Sequence, residues 1–169
     1  MSAVAREAAI AAIRAFIGAE PQQGRNAFFI SLDRRGNPSI RQVSTFIEGW
    51  TVWTVSQAQS LKLKHLRRDP RGQYLWVEDQ PARRRKNVWM RGTVTLIEDE
   101  GAVAEFMERR SRALGFSVPQ RDWQRVVMRF EPDYLRAEGF LGEEAGNTPV
   151  IMRRGEFAAI RTGAEGRNA

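Results

Sequence analysis

The sequence has 169 residues, with 27 Lys and Arg against 20 Asp and Glu, which gives a formal net charge of +7. This length is enough for one ordinary domain, and a composition of 42% hydrophobic and 28% charged residues is typical of a globular chain. The absence of cysteine excludes a disulfide framework, and a single histidine, His65, argues against a histidine or thiolate metal site. The positive charge favours an anionic partner without choosing among nucleic acid, membrane headgroups and an acidic cofactor.

The N-terminal part of the chain predicts an amphipathic helix over residues 3–18. Ile10, Ile13 and Ile17 recur at helical spacing, and charged residues occupy the other face. Charges within this stretch argue against a signal peptide, and no apolar run in the sequence is long enough to cross a bilayer. We therefore expect a cytoplasmic protein with no membrane segment.

An antiparallel meander is predicted next, because three runs of β-forming residues alternate with turn residues. The runs cover 26–32, 40–47 and 50–55. Alternation along the second run places Arg41 and Thr45 on one face of the sheet.

The second half of the chain predicts further strands with crossing helices. Strands are expected over 73–77, 87–98 and 125–130, with a possible continuation over 134–140 and a final hairpin formed by 150–152 and 157–160. Gly92 within the long strand predicts a bulge or a barrel bend, and Asp99 marks a helix start. The whole pattern predicts one domain over 1–169, mainly β with flanking helices, built as an antiparallel split β-barrel of six or more strands. Its barrel core would span about residues 25–136, followed by a C-terminal extension over 139–169.

The stretch Ser60–Gly72, SLKLKHLRRDPRG, is a candidate anion site. It follows a β-rich run and carries several basic residues on a short helical pattern over 59–68 that ends before Asp69-Pro70. A helix N-terminus presents unpaired N–H groups and a positive dipole end, to which a lysine adds a full charge. The residues predict phosphate or carboxylate binding here.

Three segments resemble the FMN-binding split-barrel superfamily, which includes pyridoxamine 5'-phosphate oxidase and the deazaflavin-dependent reductases. They are FFISLDRRGNPSIRQVSTF, TVSQAQSLKLKHLRRDPRGQYLWV and NVWMRGTVTLIED. The middle segment is the most specific, because it reproduces a strand, a hydroxyl residue, Ser-x-Lys, a leucine and Asp-Pro before the next strand. The resemblance covers about residues 25–136.

The resemblance implies a set of cofactor-binding residues. Lys62 would bind the cofactor phosphate, with hydroxyls from Ser56 and Ser60, and Arg41 would meet the cofactor from the second strand. The remaining members of the set are Thr45, Thr54 and Asn87, the last of which falls where related oxidases often have a glutamine near the flavin ring. From the residues alone, Lys62 could be a solvated lysine on a helix, and Arg41 could belong to an ion pair. Ser60 could be a helix cap, a ligand or both, and Ser56 and Thr54 could be ordinary strand residues. No catalytic acid, base or nucleophile stands out.

The implied function is an oxidoreductase that depends on FMN or, alternatively, on a deazaflavin coenzyme. The resemblance further implies a homodimer with the cofactor at the interface and a small-molecule substrate. Phe46 stands where the oxidases carry a second basic residue. The C-terminal arginine-containing signature of true pyridoxamine phosphate oxidases is not visible in residues 139–169. A true pyridoxamine phosphate oxidase is therefore not expected. Two alternatives stay open, a nucleic-acid-binding β-barrel and a cofactor-binding protein without catalysis.

Overall fold

The computed structural model describes residues 2–20, 22–78, 85–115, 122–142 and 148–158. Its helices are α1 (Ala3–Ile17), α2 (Leu61–Arg68) and α3 (Glu100–Leu114), and residues 154–158 are also helical. Its strands are β1 (Arg25–Leu32), β2 (Pro38–Glu48), β3 (Thr51–Gln57), β4 (Arg71–Glu78), β5 (Lys86–Ile97), β6 (Arg125–Glu138) and β7 (Val150–Arg153).

The strands form one antiparallel sheet in the order β3-β2-β1-β4-β5-β6-β7. Strand β3 also pairs with β6, which closes the first six strands into a barrel and leaves β7 as an additional strand on β6. Closure removes the exposed edges of β3 and β6 that an open sheet would present. The prediction of a mainly β protein with flanking helices and an antiparallel barrel is confirmed.

The barrel interior is filled by alternate residues of each strand. Phe29 of β1, Tyr74 of β4 and Met90 of β5 face one another across the ladder, and all three are fully buried. Helix α1 adds Ile13 and Ile17 to the same core cluster. This helix ends at Gly18, whose φ of 82° lies in the left-handed region that glycine tolerates best.

A second apolar cluster lies on the outer side of the barrel, under α3. Phe46 of β2 contacts Phe106 of α3 edge to face, with ring centroids 6.1 Å apart, and Val103 and Met107 pack beside them. Phe46, where the sequence resemblance implies a basic residue in the oxidases, is therefore buried against a helix in this protein.

Gly92 produces the predicted irregularity in β5. The register between β5 and β6 shifts between Arg91 and Gly92, and Gly92 pairs with Pro132. The backbones approach so closely that a Cβ atom at position 92 would lie 2.1 Å from the carbonyl oxygen of Glu131. Strand β6 continues past Pro132 to Glu138, so the predicted continuation beyond residue 134 belongs to the same strand.

The predicted C-terminal hairpin is wrong. Residues 150–153 form β7, but the chain then turns into helix over 154–158. Glu156 accepts a hydrogen bond from the Arg153 backbone N–H at 2.8 Å, as in a capping box. Phe157 packs edge to face on Trp50, with ring centroids 5.7 Å apart. Residues 159 and 160 lie outside the described part of the chain, as does much of the extension 139–169, and the assignment of 1–169 to one domain stays a prediction.

Candidate anion-binding site

Helix α2 carries the basic stretch and connects β3 to β4. Its residues Leu63 and Leu66 are 0% and 3% exposed, so their burial fixes the face that the helix turns to the barrel. Ser60 occupies the N-cap position, but its hydroxyl does not cap a helix N–H group. It forms a 2.8 Å hydrogen bond with the hydroxyl of Ser56 at the end of β3 instead. The strand end and the helix start thus present two adjacent hydroxyl groups, and their role as phosphate ligands stays a prediction.

Arg41 lies on the inward face of β2, directly opposite Phe29 of β1. Its Nη2 atom donates a hydrogen bond of 2.7 Å to the hydroxyl of Ser39, two residues earlier on the same face. Its Nε atom is buried and has no hydrogen-bond partner among the described residues, and none of them forms an ion pair with the guanidinium group. A buried donor of a charged group is costly to leave unpaired, so this site favours an anionic ligand.

Lys62 lies close to Arg41 and is half-buried. Burial lowers the pKa of its ammonium group, and the neighbouring charge of Arg41 lowers that pKa further. Within the described ranges, Lys62 takes part in no hydrogen bond or salt bridge. Two neighbouring cations without a carboxylate repel each other, and a phosphate would relieve this repulsion and satisfy the free donors.

Two predicted residues, Thr45 and Thr54, make internal hydrogen bonds. The Thr45 hydroxyl, fully buried, donates to the carbonyl oxygen of Arg25 at 2.7 Å. The Thr54 hydroxyl lies 2.9 Å from the phenol oxygen of Tyr74 inside the barrel. Burial is the main reason why the pKa of Tyr74 is raised, so its phenol stays protonated and the pair needs no ligand. Both threonines thus have structural hydrogen bonds of their own.

The structure does not bring Asn87 together with Arg41, the neighbour of Lys62. Asn87 belongs to β5 and pairs with Val77, three strands away from Arg41 in the order β2-β1-β4-β5. Its side chain also lies on the outer face of the barrel, whereas Arg41 lies on the inward face. The Asn87 amide donates to Glu138 at 3.1 Å, on the outer face of the barrel.

Sequence reasoning did not assign a role to Ser39 or Ser31, and it favoured a helix-packing or surface histidine at His65. His65 is 6% exposed, and its Nδ1 atom lies 3.0 Å from the hydroxyl of Ser31, which is 1% exposed. Strand alternation could have indicated Ser39, which shares a face with Arg41, but the contact between Ser31 and His65 joins residues 34 positions apart. Burial lowers the pKa of His65, and the charges of Arg68 and Arg41 lower it further.

This lowered pKa predicts a pH dependence of stability. Below about pH 6.5 the unfolded chain takes up a proton at His65 before the folded chain does. The free energy of unfolding should therefore fall as the pH drops from about 6.5 through the lower pKa of the folded state. Urea unfolding of wild type and His65→Gln over this range should give a flatter pH dependence for the variant. If the free energy of unfolding changed with pH in the same way for both proteins, His65 would not contribute to the pH dependence of stability.

The described residues contain no group of three His, Asp or Glu side chains placed to hold a metal ion. In the same part of the chain, no helix is both long and apolar enough to span a membrane.

The family model for pyridoxamine 5'-phosphate oxidase matches residues 11–138 of this sequence. This match covers most of the chain and includes every strand of the closed barrel together with α2. The chain therefore belongs to the pyridoxamine 5'-phosphate oxidase family, as its sequence resemblance predicted. No curated protein matches the sequence.

Several solved structures share the fold at low sequence identity. A conserved hypothetical protein from Mycobacterium tuberculosis has a TM-score of 0.61 and 20% identity, covering 83% of this chain and 86% of its own. A candidate pyridoxamine 5'-phosphate oxidase from Listeria innocua has a TM-score of 0.58 and 23% identity, covering 75% and 95% respectively. An F420 reductase has a TM-score of 0.55 and 12% identity, covering 70% and 94%. At these identities the similarities establish the fold.

Proposed function

We propose that the protein is an oxidoreductase that uses FMN or, alternatively, a deazaflavin coenzyme, and that Arg41 and Lys62 hold the phosphate end of the cofactor. The observation that carries this proposal is the buried, unpartnered Nε atom of Arg41 beside a half-buried lysine. A phosphate supplies two negative charges and several acceptor oxygens, which suit a guanidinium, an ammonium and neutral hydroxyl donors together.

Each of these residues has a distinct task. The guanidinium of Arg41, anchored on Ser39, supplies directed N–H donors, and Lys62 supplies a point charge. The hydroxyls of Ser56 and Ser60 can donate to phosphate oxygens once their mutual hydrogen bond is exchanged. When bound, the flavin or deazaflavin ring supplies the redox chemistry, while the protein orients it and excludes water. A protein that binds and orients the cofactor, and leaves the redox chemistry to the ring, needs no acid–base pair of its own, and none is evident in the sequence.

We also propose that the protein is a homodimer that binds the cofactor at its interface. A patch on the outer face of the barrel, called here the apolar outer face, supports this proposal. It consists of Phe28, Ile30, Ile40, Leu75, Val77 and Trp89. Three of these side chains, those of Phe28, Ile40 and Val77, are 43%, 60% and 51% exposed, which is unusual for neighbouring apolar residues on a monomer.

The dimer would also explain the position of Asn87. This residue pairs with Val77 at the margin of the apolar outer face, on the opposite side of the barrel wall from Arg41 of its own chain. A second copy seated on this face could bring its Asn87 towards a cofactor held by the first. The assignment of Asn87 to the cofactor site therefore depends on the dimer.

The proposal predicts that Lys62→Ala weakens cofactor binding by about 1–3 kcal/mol, as expected for the loss of a charge-assisted hydrogen bond. The measurement is a fluorescence titration of the purified protein with FMN and with the deazaflavin coenzyme. Saturable binding of one of them identifies the cofactor.

Arg67→Ala is the matched control, because Arg67 is an exposed cation on the same helix and pairs with Glu98 at the surface. It should leave the affinity unchanged. Equal affinities of Lys62→Ala and wild type would refute the phosphate site.

Turnover of a small-molecule substrate separates an oxidoreductase from a cofactor-binding protein without catalysis. The nucleic-acid-binding alternative and the cytoplasmic location stay predictions of the sequence.

A further inference from the structure

A basic cleft lies between the β1–β2 turn and α2, beside the candidate phosphate site. Its volume is about 530 Å³, which falls within the range of small-molecule sites. The charged residues that line it are Asp33, Arg34, Arg35, Lys64 and Arg68.

Both walls of this basic cleft are fixed by hydrogen bonds. Asp33 closes the turn by accepting from the backbone N–H groups of Arg35 at 2.7 Å and Asn37 at 2.9 Å. Arg68 ties α2 to the turn by donating to the carbonyl oxygens of Leu32 and Asp33. A ligand would therefore meet a preformed cleft, with little ordering cost on binding.

The cleft carries an excess of positive charge. Four cationic side chains stand against one carboxylate, and the hydrogen bonds from Asn37 are the main reason why the pKa of Asp33 is lowered. Asp33 is thus ionised but already engaged by the turn. The side chains of Arg34, Arg35 and Lys64 make no ion pair with any residue in the described ranges. Their mutual repulsion favours an anionic ligand.

The cleft is distinct from the site of Arg41 and Lys62. Leu61, Lys64 and Arg68 lie on one stripe of α2, whereas Lys62 is rotated by about 100° from Leu61 around the helix axis. His65 lies between the cleft and the site of Arg41 and Lys62. It lines the cleft, and the charges of Arg68 and Arg41 both act on its imidazole.

We propose that the basic cleft is a second anion subsite, which takes a small molecule with two or more phosphate or carboxylate groups. One group would bind Arg34 and Arg35 on the turn, and another would bind Lys64 and Arg68 on α2. Leu61, which is 54% exposed, offers an apolar contact to the carbon skeleton between them. This subsite does not depend on the identity of the cofactor.

The test is calorimetric titration of the full chain with tripolyphosphate and with tetraglutamate as probes, at about 0.15 M salt to screen long-range attraction. At least one probe should bind, and the double variant Arg35→Ser/Lys64→Ser should weaken it by about tenfold or more. The control Arg153→Ser/Arg154→Ser removes the same charge from exposed positions outside the cleft and should have little effect. A preference for one probe identifies phosphate or carboxylate as the group recognised.

Lys62→Ala separates this subsite from the cofactor site. It should retain probe binding in the cleft even where it loses the cofactor. Binding of neither probe, equal weakening in the two double variants, or complete loss of probe binding in Lys62→Ala would overturn the second subsite.

Discussion

Replacing Gly92 with alanine is expected to destabilise the protein by about 3 kcal/mol or more, near the upper end for overpacking a well-packed site. The new methyl group would lie 2.1 Å from the Glu131 carbonyl oxygen and 2.8 Å from Pro132 Cα. These are backbone atoms of β6, so the conflict cannot be relieved by a side-chain rotation. Either β5 and β6 separate at the bulge, or the barrel loses its closed register. Thermal unfolding should show a midpoint lower by roughly 10 °C for a chain of this size.

Gly155→Ala is the matched control for this prediction. A Cβ atom at position 155 meets no atom within 4 Å, and the residue lies in the helical stretch 154–158. Alanine should be neutral there or stabilise by up to about 1 kcal/mol, because it favours helix over the unfolded chain. Similar midpoints for Gly92→Ala and wild type would mean that the bulge accommodates a side chain after all.

The fold was largely predictable because its local signals agree with its tertiary structure. The glycine in β5 lies where the register shifts, Asp99 caps α3 through the Ala102 N–H, and alternation along β2 separates inward from outward residues. The hairpin at the C-terminus was the exception. A short apolar run at 157–160 fits a strand or a helix equally well, and the decision depends on Phe157 packing against the distant Trp50.

The candidate site likewise contains residues whose placement the sequence could predict and residues whose contacts it could not. Ser56, Ser60 and Lys62 are neighbours in sequence, and the turn from β3 into α2 brings the two serine hydroxyls into contact. The partners of Thr45 and Thr54, in contrast, are the Arg25 carbonyl and the Tyr74 phenol, each 20 residues away. A sequence motif marks such hydroxyls as polar residues near the site but does not reveal that another element already satisfies them.

Replacing Phe28 with aspartate is expected to convert the proposed dimer into monomers. Phe28 lies in the middle of the apolar outer face, paired with Gln42 on one side and Leu75 on the other. In a two-fold symmetric interface the substitution places two like charges in one apolar surface. Desolvation and repulsion together should raise the dissociation constant of the dimer by about a hundredfold or more. Light scattering over a concentration series measures this change.

Val4→Asp provides the matched control, because Val4 is an apolar residue of α1 with 77% exposure, on an element outside the apolar outer face. This variant should remain dimeric. Phe28→Asp should retain the barrel, since its side chain is already 43% exposed, and circular dichroism can confirm this. A monomeric wild type at micromolar concentration would refute the interface.

The same variant tests whether the dimer completes the cofactor site. If Asn87 of a second copy contributes to binding, Phe28→Asp should lose cofactor affinity although Arg41 and Lys62 of its own chain remain intact. An Asn87→Ala variant should then lose a similar part of the affinity while staying dimeric, and combining both substitutions should add little. Full affinity in a monomeric Phe28→Asp protein would place the whole cofactor site within one chain and remove Asn87 from it.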